Sequence, residues 1–209
     1  MHDPTRIPAT VRLFEDVWLG QPDLSFAALI GLLENHGVHW GIDDEDASEI
    51  LKNIATQYPP RLVEPVRNPH IVHISDTRLR ILFDAQLAVV LMPNTAPVMW
   101  RYVALERVAT GMPLRIRGEN TSHNYGVVEK IERLNPDEPV LGCFSLLEDE
   151  TTIYHHGKTI ELFRRNRRGY EHEIYHEVEK LKIVVGEPVS FNSATRKYEL
   201  SKVIGQIAG

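Results

Sequence analysis

The chain has 209 residues, of which 43% are hydrophobic and 25% charged, and carries a formal net charge of −6 at pH 7. That is the composition of an ordinary globular protein and excludes collagen-like, low-complexity and intrinsically disordered classes. The longest apolar run, Leu87 to Met92, is too short for a membrane-spanning helix. Met1 to Pro8 has no apolar core of signal-peptide type. A single cysteine, Cys143, leaves no internal disulfide. These features set the expectation of a soluble cytoplasmic protein without a membrane role, and no internal repeat is visible.

Taken in order, the chain reads as α+β, with a helical front (1–60) and a β-rich back (61–209) that holds one further helix. Thr10 is placed to cap a helix through Val11 to Trp18, closed by Gly20. Ser25 caps a second, Phe26 to Asn35, with Gly37 as its stop. Asp43 starts a third, in which Ala47, Ile50, Leu51 and Ile54 form the apolar stripe. Tyr58-Pro59-Pro60 ends it, because a residue before proline is pushed out of the helical region. Three short helices followed by extended segments is the order found in winged-helix modules, an analogy of element order alone.

Charge argues against the use such an order brings to mind. Residues 1–70 hold 5 Lys/Arg against 11 Asp/Glu, while residues 71–209 hold 18 of each. The third helix opens on Asp43 to Asp46, which suits the helix dipole but repels phosphates. DNA binding by the helices is therefore not expected, and an acidic docking surface for a basic partner is the functional alternative.

Tyr58 to Pro69, with four prolines, is the expected boundary. Strands are expected at Ile71 to Ile74, Leu79 to Phe83 and Gln86 to Met92. Asn94 to Pro97 then reads as the start of a helix from Val98 to Ala109, stopped by Gly111 and Pro113. Beyond it lie strand-like stretches at Leu114 to Arg117, Tyr125 to Leu134, Val140 to Leu147 and Thr151 to Phe163. The last of these carries a hairpin turn at His155 to Lys158. Val189 to Phe191 and Tyr198 to Ile204 complete an antiparallel sheet or small barrel. No phosphate-cradling glycine loop, dinucleotide fingerprint or nucleophile elbow is present.

Two clusters carry chemistry. His172-Glu173-Ile174-Tyr175-His176 spells H-E-x-x-H. On a helix, His172 and His176 would share a face and hold one zinc ion, with Glu173 as general base. Glu199 is the candidate third ligand, with His155 and His156 as substitutes. The same stretch also alternates in the strand period, and an extended chain would set the two histidines about 13 Å apart. The zinc reading therefore requires a helix. The second cluster is basic: Lys158, Arg164, Arg165, Arg167 and Arg168, flanked by Phe163 and Tyr170 as stacking partners, is a candidate polyanion-binding loop. From these features a non-enzymatic binding or regulatory protein is expected, with no cofactor. A zinc-dependent hydrolase is the alternative.

Overall fold

A computed structural model describes residues 4–135, 141–167, 169–194 and 196–209. Three helices lead the chain: α1 (Arg6–Gly20), α2 (Phe26–Asn35) and α3 (Asp44–Gln57). The Ser25 hydroxyl accepts from the Ala28 amide at 3.3 Å and caps α2. Asp43 caps α3 by accepting from the Glu45 and Asp46 amides at 3.0 and 2.9 Å. α1 starts a turn earlier than the expected cap: Thr10 lies inside it and donates back to the Arg6 carbonyl. The three helices enclose their own apolar cluster around Val17, Leu29, Leu33, Leu51 and Ile54.

Among the described residues fourteen strands follow, in two seven-stranded antiparallel sheets. The first holds β1 (His70–Ile74), β2 (Arg80–Phe83), β3 (Leu87–Leu91), β4 (Val98–Arg101), β5 (Ala104–Arg107), β6 (Pro113–Arg117) and β7 (Ser122–Arg133). The second holds β8 (Cys143–Leu147), β9 (Thr152–His156), β10 (Thr159–Asn166), β11 (Gly169–Tyr175), β12 (Glu179–Lys182), β13 (Pro188–Ser193) and β14 (Arg196–Ala208). The fold is α+β and dominated by antiparallel sheet. Of the strand expected from Val140 to Leu147, Val140 itself lies outside the described residues.

The two sheets repeat one topology. The first runs β4-β3-β2-β1-β7-β6-β5 and the second β11-β10-β9-β8-β14-β13-β12, the same order seven strands later. The match extends to single hydrogen bonds. Gly111 donates to Val128 and Gly186 to Val203; Val128 donates to Met112 and Val203 to Glu187. Thr110 bridges Val128 in parallel, as Val185 bridges Val203. Both glycines stand at positive φ ahead of a Gly-x-Pro strand entry, Gly111-Met112-Pro113 and Gly186-Glu187-Pro188. The repeat escapes a reading of the sequence because the correspondence lies in strand order and backbone pairing. Backbone pairing, not side-chain identity, holds the topology.

In each repeat the long last strand passes between two layers. The first half of β7 pairs β6 and its second half pairs β1, with Gly126 at φ 98° between them. β14 likewise pairs β13 and then β8. The space inside each fold is filled by a separate apolar core. Val72, Ile81, Phe83, Leu114, Ile116 and Ile131 fill the first; Leu147, Ile153, Leu162, Val189, Phe191 and Val203 fill the second. A third cluster joins the repeats, with Leu82, Leu87, Val89 and Met99 against Phe144, Leu146 and Ile207. Gly205 permits this approach: a β-carbon there would lie 2.9 Å from Leu87 Cδ1.

The expected helix from Val98 to Ala109 does not form; the segment is the strand pair β4 and β5. Alternation decides it. Pairing β4 to β3 turns Met99 into the inter-repeat cluster, while Tyr102 beyond it caps the first core, its hydroxyl donating to the Asp84 carbonyl. Burial of these side chains outweighs the capping signal that precedes them. No helix among the described residues is long and apolar enough to cross a membrane.

Candidate functional site

The H-E-x-x-H segment is strand, not helix. Gly169–Tyr175 is β11, paired along its length with β10. Successive side chains therefore part to opposite faces. His172 points outward and stacks on Phe163, rings 4.4 Å apart and 14° from parallel. Its Nε2 lies 2.8 Å from Glu161 Oε2. Glu173 turns the other way, accepting from Arg164 Nη1 at 2.7 Å and from the Tyr175 hydroxyl at 2.5 Å. Burial, helped by that carboxylate, pushes the Tyr175 phenol up to about 12. His176 lies past the strand end, and Glu199 sits on β14 with Lys197 at 4.0 Å. His155 Nε2 pairs with the Gly157 carbonyl at 2.8 Å. Among the described residues no three His, Cys, Asp or Glu side chains converge to hold a metal ion. The helix that the zinc reading requires is absent, because pairing with β10 holds the segment extended.

The basic cluster is divided by the same alternation. Lys158 pairs with Glu177 at 3.2 Å, and Arg164 with Glu173, all at partly or fully exposed positions. Such pairs carry little net energy but neutralise the cations. Arg165 and Arg167 are exposed, and no carboxylate among the described residues lies within ion-pair distance of either. Arg168 lies outside the described residues.

Arg165 belongs to a larger feature. A cleft of about 740 Å³ opens where the two repeats meet. One wall is the first repeat: Trp100 on β4, the β6–β7 turn from Gly118 to Thr121, and His123 and Tyr125 on β7. The other wall is the second repeat, with Thr152, Phe163, Arg165 and Tyr170. Leu146, Met99 and Ile204 contribute an apolar surface between them. The Trp100 and His123 rings lie 4.7 Å apart, and His123 is nearly parallel to Tyr125, 17° between planes at 6.1 Å. Burial raises the Tyr125 phenol above its ordinary value. The Thr121 hydroxyl lies 3.1 Å from His123 Nε2. Arg101 at the border is committed to structure, donating to Gln86 Oε1 at 2.8 Å and to the Ile204 carbonyl.

The sequence offers no local reason to single out Trp100, His123 or Tyr125. His123 and Tyr125 alternate on a strand, but nothing local shows that Trp100 would lie opposite them. The chain matches no protein-family model, no curated protein and no solved structure at a significant level.

Proposed function

We propose that this chain is a non-enzymatic binding protein whose ligand is polyanionic and enters the cleft between the repeats. The observation that carries the reading is the meeting of the cleft with two arginines that have no carboxylate partner among the described residues. Arg165 lines it, and Arg167 follows two positions along the same hairpin. An unpaired guanidinium on a surface remains available for phosphate or carboxylate, whereas Lys158 and Arg164 are already neutralised. Among the described residues no metal-ligand set supports the hydrolase alternative. Binding of inorganic polyphosphate to the intact chain tests the reading. Reversal of both charges (Arg165→Glu with Arg167→Glu) should abolish it, and unchanged binding would remove the proposal.

A basic protein partner on the helices is the second reading. It is favoured by the exposure of Phe26 and Val11, at 57% and 58%, within the acidic front of the chain. A partner of this kind should be released by salt and by Phe26→Ser.

A further inference from the structure

We infer that the polyanion is a single-stranded nucleic acid, its bases stacked on the outward face of the second repeat and fed from there into the cleft. This rests on the polyanion reading and adds to it the chemistry of the ring face. Register places Tyr154 and His156 of β9, Phe163 and Arg165 of β10, and Tyr170 and His172 of β11 on one side of the sheet. The opposite side, with Ile153, Leu162 and Tyr175, is turned to the second core. Tyr154 packs toward the first repeat and Phe163 is 8% exposed, so the rings of this side that face solvent are His156, Tyr170 and His172. Tyr154 stacks near-parallel on His156, 12° apart, as His172 does on Phe163. Tyr170 stands open at 46% exposure beside Arg165, its register partner.

In the first repeat the matching register positions hold Leu82, Val89 and Met99, an aliphatic face buried against the other repeat. In the second repeat Phe144, Leu146 and Tyr154 meet them there, and the rings left open are Tyr170 and His172 on β11 and His156 at the end of β9. Strands spaced about 4.8 Å apart and side chains repeating every second residue set such rings at intervals that successive flexible bases can follow. Every base has a π-face, so a platform of this kind binds without sequence preference. A double helix, its bases already stacked on one another, cannot use it.

Charge decides which term dominates. Arg165 and Arg167 offer two phosphate contacts, while Glu119 and Glu150 line the same cleft. Two contacts give a salt slope of only about −1.4 in log–log terms for a single strand. Stacking, at about 1–3 kcal/mol per base, must carry most of the affinity. The ring face thereby separates nucleic acid from polyphosphate, which has charge and no rings.

The test compares labelled oligothymidylate, the same sequence as a duplex, and polyphosphate of matched charge, each with the intact chain. Binding of the single strand should exceed that of both others. Tyr170→Ala should weaken it about tenfold or more and leave polyphosphate unmoved, while Tyr170→Phe, which keeps the ring, should retain it. The Phe variant also guards against a folding artefact, as does an unchanged melting temperature for the Ala variant. Oligothymidylate binding no tighter than polyphosphate, or insensitive to Tyr170→Ala, or matched by the duplex, overturns the nucleic-acid inference and leaves the polyanion reading standing. Failure of all three probes to bind removes both.

Discussion

The carbonyl oxygen of Tyr58 lies 1.9 Å from where a β-carbon on Gly20 would sit. The end of α1 therefore rests directly on the backbone that ends α3. Gly20 is the buried last residue of α1, and it is a contact as well as the end of the helix. Because the obstacle is backbone, it cannot rotate away. Gly20→Ala should destabilise the helical cluster by about 2 kcal/mol or more, within the usual range for overpacking. A thermal melt followed by helix-sensitive circular dichroism reads the effect, and an unshifted melt would contradict it.

The cluster between the repeats should be as cooperative as either core. Phe144 is 3% exposed and stacks on Tyr154 at 4.9 Å, against the aliphatic face of the first repeat. Phe144→Ala should cost about 3–5 kcal/mol, the range for a buried aromatic. Denaturant unfolding measures it. A loss below about 1 kcal/mol would mean that the repeats do not depend on each other.

Acid should weaken the first repeat before the second. Burial lowers both His70 and His73 on β1 below their ordinary value of 6.5. The unfolded chain then takes up protons first, so stability is complete above pH 6.5 and falls as the pH drops below it. His73 Nε2 is buried without a hydrogen-bond partner, 3.7 Å from Glu132. Comparing denaturation midpoints above and below pH 6.5 should show the loss, and His73→Leu should reduce it. Equal slopes in both proteins would exclude His73 as a source.

Glu173 should matter little. Its partner Arg164 is 37% exposed and Glu173 itself 39%, so solvent screens the pair. Glu173→Gln should cost less than about 1 kcal/mol. Zinc content after purification without an affinity tag should be the same for the wild type and His172→Ala. Stoichiometric zinc lost in the variant would restore the metal reading.

The helices were legible where a cap announces them: Ser25 and Asp43 each do in space what their position in the sequence implies. The strands were legible where a short, mostly apolar run stands by itself, as at Ile71 to Ile74 and Leu79 to Phe83, which are buried on both faces. The Val98 segment misled because its start signals are local and its burial is not: Met99 depends on Phe144, far along the chain. The site shows the same division. Phe163, Tyr170 and Arg165 stood out as neighbours in sequence, while Trp100, His123 and Tyr125 join them only through the packing of one repeat on the other. H-E-x-x-H misled differently, since identical residues serve a helix or a strand and only pairing with β10 decides between them.

Each repeat closes by joining its first strand to its last, β1 to β7 and β8 to β14. Such closures bring together residues dozens of positions apart, and the lost chain entropy must be met before any contact rewards it, which places folding in the slow range of milliseconds to seconds. Neither closure needs a strand from the other half. The body should therefore acquire its structure through two independent nuclei, and the cleft, which belongs to neither, should be the last feature to form.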